Sequence, residues 1–321
     1  MLVEPNVLAI RQTALQLGIP DSFVRKDYFV TEVIRLLMQI KDIHYALAFQ
    51  GGTSLSKGYQ LVARMSEDVD FRVTLTAEGK ALGKAARRRA LRHFRHSIVT
   101  TLREAGFDLA EDAIRVLYEG RYMRLNVSFP EADQLTYLKP HVMVECFLGE
   151  TQLPLQSCQI NSLVKATLGD HYEEQTESVN CVALDETAAE KWVALTRRIA
   201  NSQIKERPSD KHLVRHLYDL YHLNHSGLLT GEYKHLIADL LKKDAEQFQK
   251  YNSAYNDNPL KVSQEAVIFL GKKPIWREHW ENFITQMVYG DNKPSFDNVY
   301  DNLSQMSDII FSEVVLGKAT Q

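Results

Sequence analysis

The stretch Phe49-Gln50-Gly51-Gly52-Thr53-Ser54-Leu55, followed by Ser66-Glu67-Asp68-Val69-Asp70-Phe71, decides the reading of this chain. The apolar run Tyr45-Ala46-Leu47-Ala48-Phe49 leads into the glycine pair, and Thr53-Ser54-Leu55 follows it. An apolar run, a double glycine and a hydroxyl-bearing start read as strand, turn and helix. Asp68 to Val73 reads as a second strand. Side chains alternate along a strand, so Asp68 and Asp70 leave one face while Val69, Phe71 and Val73 leave the other. Two adjacent carboxylates repel unless a cation lies between them, and a divalent ion completed by substrate phosphates is the usual remedy. The plain alternative is a wet strand face carrying two solvated acids. The glycine pair narrows the choice, because it lets backbone amides approach an anion at the start of a helix. Thr53 and Ser54 bring hydroxyls to the same place. The turn is not a P-loop, since Lys57 precedes Gly58 and is not followed by Ser or Thr.

Working outward, the first 48 residues read as helices, with Asp21-Ser22 able to cap a segment through Tyr28, Val33, Leu36 and Leu37. A basic helix is expected from about Glu78 to Ala105, stopped by Gly106. Ala113–Leu117, Tyr122–Phe129 and His141–Leu148 read as strands, broken by Gly120 and Pro130. Glu145 lies in the last of these, among apolar neighbours. A buried lone carboxylate costs several kcal/mol unless it is paired or metal-bound. A glutamate at a sheet end bonded to an arginine is the other reading, and both stand. Beyond Gly149, Gln159–Thr167 is short and mixed, and Val179–Leu184 reads as one last strand. From Asp185 onward the pattern is helical, broken at Pro208, Gly227 and Pro259. Thr187 and Glu190 have capping-box spacing for a helix carrying Trp192, Leu195 and Ile199. The acidic, polar C-terminal stretch reads as a solvated helix. The boundary falls between about 150 and 185, giving domains 1–165 and 166–321.

Composition sets the limits. The 321 residues suit two domains on a prior of about 150 residues each. Hydrophobic residues at 45% and charged residues at 25% exclude a disordered or membrane-embedded chain. Lys and Arg number 38 against 41 Asp and Glu, so any nucleic-acid contact must come from a local patch. One such patch exists. Lys80, Lys84, Arg87, Arg88, Arg89, Arg92, Arg95 and Arg103 fall in a segment without Asp or Glu. Lys84, Arg88, Arg92 and Arg95 share one helical stripe, and Leu91, Phe94, Ile98 and Leu102 share another. The expectation is a packed face and a phosphate-binding face; the plain reading is a solvated one. Cys146, Cys158 and Cys181 are too few for a disulfide scaffold and lack paired metal spacing. His212 and His216 are four apart, but no third ligand accompanies them, so they read as surface or capping histidines. The N-terminus has no secretory pattern and no run could span a bilayer, so a soluble, cytoplasmic protein without a membrane partner is expected.

The Gly51-Gly52-Thr53-Ser54 turn, the Ser66-Glu67-Asp68-Val69-Asp70 strand and a third acid on a later strand resemble the DNA polymerase β-like nucleotidyltransferase fold. More narrowly, the chain resembles the AbiEii/AbiGii-type nucleotidyltransferase toxins of bacterial toxin–antitoxin and phage-defence systems. Leu184-Asp185-Glu186-Thr187-Ala188-Ala189-Glu190-Lys191-Trp192 with Arg197-Arg198 is similar to one helix motif of that family. Arg215-His216-Leu217-Tyr218-Asp219-Leu220-Tyr221 is similar to another, although His216 stands where an acid is common. The resemblance spans roughly residues 45 to 225. It implies an α+β architecture: a mixed-sheet nucleotidyltransferase domain followed by a mainly helical C-terminal domain, with the active site in the cleft between them.

It also implies a reaction, the transfer of a nucleoside monophosphate from an NTP to an acceptor hydroxyl with release of pyrophosphate. The cofactor would be Mg²⁺ or Mn²⁺, the acceptor an RNA with tRNA the best single choice, and the protein partner a cognate antitoxin. Growth or phage propagation would be inhibited. Asp68 and Asp70 would hold the metal, and Glu145 would bind a second ion or activate the acceptor. Gly51, Gly52, Thr53, Ser54, Lys57 and Lys191 would bind the nucleotide, with Asp219 orienting Lys191 or a nearby arginine. Lys84, Arg88, Arg92 and Arg95 would bind RNA. The plain readings are an exposed lysine at Lys191 and an ordinary helix ion pair at Asp219. Rival functions are a protein-targeted nucleotidyltransferase, a nucleotide-sugar glycosyltransferase and a non-catalytic RNA- or partner-binding module. Product analysis with labelled NTP or nucleotide-sugar would separate a nucleotidyltransferase from the glycosyltransferase, which needs neither the basic helix nor Lys191, and intact acids count against the third.

Overall fold

Alternation along Asp68–Leu75 sorts the acids from the apolar residues, and the rest of the first domain is built around that strand. A computed structural model of the chain describes residues 5–130, 138–204, 210–248 and 252–319. The chain divides into two units, 1–182 and 183–321. The first carries seven strands: β1 (Tyr45–Gln50), β2 (Asp68–Leu75), β3 (Ile114–Leu117), β4 (Tyr122–Val127), β5 (Val142–Leu148), β6 (Gln156–Ile160) and β7 (Glu177–Cys181). They form one mixed sheet in the order β3-β4-β5-β2-β1-β7-β6. β1 runs antiparallel to β2, and β2 runs parallel to β5. Its helices are α1 (Val7–Leu17), α2 (Asp21–Met38), α3 (Gly51–Lys57), α4 (Ala77–Ala81), α5 (Lys84–Ala105) and α6 (Leu163–Leu168).

α2 and α5 cover one face of this sheet. Phe29, Val33 and Leu37 of α2 and Leu91, Phe94 and Ile98 of α5 share a core with Phe49, Val69, Phe71, Leu125, Val142 and Val144. Each such fully buried side chain stabilises the fold by about 1.5–3 kcal/mol. The alternation then places Asp68, Asp70, Arg124 and Glu145 on the opposite face. α2 also carries three buried charges, each paired: Lys26 with Glu67, Asp27 with Lys57, and Arg35 with Glu174. These pairs tie α2 to the start of β2, to α3 and to the segment before β7.

Several boundaries differ from the sequence reading. The basic helix is two helices, because Leu82 and Gly83 are extended and Thr76 caps α4 through the Gly79 amide. Pro20, not Asp21-Ser22, is the N-cap of α2, and Asp21 sits in its first turn. β6 and α6 occupy the stretch read as short and mixed. The last strand begins at Glu177 rather than Val179. β7 pairs in parallel with β1, and the first unit extends to Val182.

The second unit is helical: α7 (Leu184–Ile204), α8 (Val214–His225), α9 (Glu232–Phe248), α10 (Ser253–Asp257), α11 (Pro259–Lys272), α12 (Pro274–Met287) and α13 (Phe296–Ala319). Trp192, Tyr218, Trp276 and Trp280 fill its core. The Trp192 indole donates to Ser263 Oγ at 3.0 Å. α13 is not a solvated helix, since Phe296, Val299, Leu303, Met306 and Ile310 recur at three- and four-residue spacing and are buried. Thr187 is inside α7 and buried, so it does not cap it. Asp185 caps elsewhere: its carboxylate accepts from the Thr230, Gly231 and Tyr233 amides at the start of α9. No helix among the described residues is long and apolar enough to cross a membrane.

Candidate active site

The corner formed by β1, α3 and β2 depends on its two glycines. Gly51 has φ +81°, and a β-carbon there would lie 2.2 Å from Asp70 Oδ2. The close approach follows from the register, which pairs Gln50 with Asp70. A β-carbon on Gly52 would lie 2.1 Å from Arg64 Nη2. The first glycine thus makes room for a carboxylate, and the second for the guanidinium of a buried arginine that sequence reading missed. Arg64 carries no motif signal, because it sits in irregular chain between α3 and β2.

Thr53, Ser54 and Lys57 brace the corner. The buried Thr53 hydroxyl donates to the Asp68 carbonyl and shares a hydrogen bond with Ser66 Oγ at 2.6 Å. Ser54 Oγ donates to the Gly51 carbonyl at 3.0 Å. Lys57 is buried against Asp27 and donates to the Asn161 carbonyl at 3.2 Å. Burial pulls its pKa down, and the Asp27 carboxylate opposes that pull. Direct service to a phosphate would require these groups to leave those partners.

Asp68 is met by a lysine that sequence reading also missed. Lys139 Nζ lies 2.9 Å from Asp68 Oδ1. Glu67, on the other face of the strand, holds the same segment. Its Oε1 accepts from the Lys139 amide at 2.6 Å and from Lys26 Nζ at 2.7 Å. Lys26 Nζ also donates to the Lys139 carbonyl at 2.8 Å. Burial alone would push the Glu67 carboxyl up, but Lys26 and the Lys139 amide hold it below its ordinary value.

Asp70 is in register with Glu145 on β5, and Glu145 with Arg124 on β4. The Tyr122 hydroxyl donates to Glu145 Oε1. Burial first, and then this bond, push the Tyr122 phenol far above its ordinary range, so it stays a donor. Glu145 therefore has a hydroxyl partner. Among the described residues no three of His, Cys, Asp and Glu converge as a closed metal cage. Two hard carboxylates on one strand face remain a fitting donor set for Mg²⁺ or Mn²⁺, which take one or two protein carboxylates and complete their shell from phosphates and water.

In the second unit, Lys191 and Asp219 are both buried, with Nζ 2.7 Å from Oδ2. Breaking a buried pair by removing one partner costs about 3–5 kcal/mol, whereas removing both is far milder. Lys191→Met should therefore lower the melting temperature, and Lys191→Met with Asp219→Leu should recover much of it. If transfer stays lost in the stable double variant, the pair serves the reaction; if it returns with stability, the pair is structural. Thermal melts beside a labelled-NTP assay decide.

The basic stripe lies on α5, which packs on the face of the sheet opposite the acids. Lys84, Arg88 and Arg92 are exposed, and Arg88 lies 3.2 Å from Glu119. Arg95 is half-buried and donates to the Gly120 carbonyl at 2.8 Å, so it serves the fold. In the second unit, Lys211 is exposed and Arg215 half-buried.

Solved structures that resemble the chain include two nucleotidyltransferase-like proteins. MenT4, a nucleotidyltransferase toxin from Mycobacterium tuberculosis H37Rv, is 17% identical with a TM-score of 0.39, over 68% of this chain and 70% of its own. An antigenic nucleotidyltransferase-like protein from Paracoccidioides brasiliensis is 13% identical with a TM-score of 0.35, over 73% of this chain and 97% of its own. No curated protein matches the sequence. The model of the family described as the nucleotidyl transferase AbiEii toxin of type IV toxin–antitoxin systems matches residues 35–302. That span takes in the mixed sheet with its acid face and most of the helical unit, so the class is a nucleotidyltransferase. The chain belongs to the AbiEii toxin family.

Proposed function

We propose that the protein transfers a nucleoside monophosphate from an NTP to a hydroxyl of an RNA acceptor, tRNA being the first to try, and releases pyrophosphate. The observation that supports this most is the β1–α3–β2 corner, where Gly51 leaves room for Asp70 and Asp68 stands two residues away on the same face. A divalent ion bound there would neutralise charge on the triphosphate as the leaving pyrophosphate departs. Asp68 and Asp70 hold that ion, and the glycine turn and Arg64 lie beside the phosphates. Glu145, kept in place by the Tyr122 hydroxyl, accepts the proton of the attacking hydroxyl. Lys191 and Asp219 carry over from the family motifs as residues the reaction needs. In a type IV system the protein inhibits growth, or phage propagation, until its cognate antitoxin counteracts it.

Incubating the purified protein with total RNA, Mg²⁺ and each labelled NTP in turn tests activity, base choice and acceptor together. Label in RNA supports the reading. Label in protein alone points to a protein-targeted transferase, and no label with any NTP argues for a binding module.

The stripe on α5 is the proposed phosphate track of the acceptor. Because Arg95 holds Gly120, the variant to make is Lys84→Glu, Arg88→Glu, Arg92→Glu. It should weaken RNA binding and reduce the log–log salt slope by roughly 0.7 for each phosphate that is no longer neutralised. NTP binding should be unchanged. A wild-type slope returns this face to solvent.

A further inference from the structure

We propose that Lys139 is a built-in counter-ion of the acid face: it sits on Asp68 until a divalent ion arrives, then turns to the phosphates that come with it. The inference rests on the reading of Asp68 and Asp70 as the metal-binding pair.

Three observations carry it. First, the Lys139 ammonium lies 2.9 Å from Asp68 Oδ1, on an oxygen a divalent ion would use. Two cations on one carboxylate oxygen repel, so each weakens the other's hold on Asp68. Second, the backbone of Lys139 is held at both its polar groups. The amide donates to Glu67 at 2.6 Å, and the carbonyl accepts from Lys26 at 2.8 Å. Lys26 is itself fully buried and paired with Glu67 at 2.7 Å. This clamp fixes where the side chain starts. Third, the Lys139 side chain is 40% exposed and the Asp68 side chain 28%, so the side chain has room to swing while its backbone stays anchored. Lysine suits that task, being a compact charge with three donors on a flexible stem. An ion on Asp68 brings phosphate oxygens within the same few ångströms, and the displaced ammonium finds an anion there.

A partly exposed ion pair is weak, so the effects are modest and measurable. For Mn²⁺ alone, read by electron paramagnetic resonance, Lys139→Met should bind about two- to fivefold more tightly than the wild type. For the preformed complex of Mn²⁺ with inorganic tripolyphosphate, which offers the phosphate chain without a base, the same variant should bind more weakly by a similar factor. Lys139→Arg keeps the charge and should restore both values towards wild type, which a loss of packing would not allow. Lys139→Met with wild-type affinity in either titration overturns the proposal. Asp68→Asn serves as the reference. If it abolishes the Mn²⁺ site while Lys139→Met changes nothing, the metal reading stands and the counter-ion role falls. If it leaves the Mn²⁺ site intact, both fall.

Discussion

Asp68→Ala and Asp70→Ala are each expected to reduce nucleotide transfer by at least about a thousandfold, because a bound ion supplies several kcal/mol of charge stabilisation to the transition state. Each variant removes one hard oxygen ligand from the pair proposed to hold the ion. Growth inhibition should disappear with transfer. Folding should not suffer, because the apolar half of the strand, Val69, Phe71 and Val73, is untouched and fully packed. Asp68 is partly exposed, and a substitution there should stay within about 0.5 kcal/mol of wild-type stability. The measurement is labelled-NTP transfer at ordinary Mg²⁺ levels beside a thermal melt. A variant that keeps near wild-type transfer would remove the metal assignment.

Gly51→Ala is expected to cost about a hundredfold in transfer, the scale on which an ångström of misplacement at a reacting centre is felt. The added methyl would sit 2.2 Å from Asp70 Oδ2 and 3.0 Å from its Cγ, so the carboxylate must move. The left-handed backbone at φ +81° adds a stability loss of about 1–2 kcal/mol. Gly18→Ala provides the control. Gly18 also has a left-handed backbone, at φ +64°, but its β-carbon would meet nothing within 4 Å. It should show the stability loss with full transfer. Equal transfer in both variants would mean that the position of Asp70 does not matter to the reaction.

The strand, turn and acid strand were legible because their signals are local. Period-two alternation sorts Asp68 and Asp70 from Val69 and Phe71 within a handful of residues. The helical pattern of α7 and α8 is legible for the same reason. The partners of the acids were not. Lys139 reaches Asp68 across 71 positions, and Lys26 reaches Glu67 across 41, with nothing in either local pattern to pair them. The resemblance implies Lys57 as a nucleotide ligand, yet Asp27 of α2 claims it in the fold. Arg95 belonged to the basic stripe by periodicity and was diverted by the turn at Gly120. The polar content of α13 masks its apolar spacing at Phe296, Val299, Leu303, Met306 and Ile310, which is the informative signal. β6 was obscured because its sequence, Gln156-Ser157-Cys158-Gln159-Ile160, is mostly polar and it lies at the sheet edge, where one ladder suffices.

The position of β2 and β5 within the sheet has a consequence for local stability. Neither is an edge strand: β2 lies between β5 and β1, and β5 between β4 and β2. Fraying from either margin must first detach β3 and β4, or β6, β7 and β1, before it reaches the acids. Local openings are lowest in free energy where little apolar surface is buried and ladders are exposed, and highest in central strands. The amides of Val69, Phe71 and Val144 should accordingly be among the slowest to exchange with deuterated water, while those of β3 and β6 exchange early. Asp68, Asp70 and Glu145 thus share the most persistent backbone of the unit, and their spacing is kept while the margins breathe.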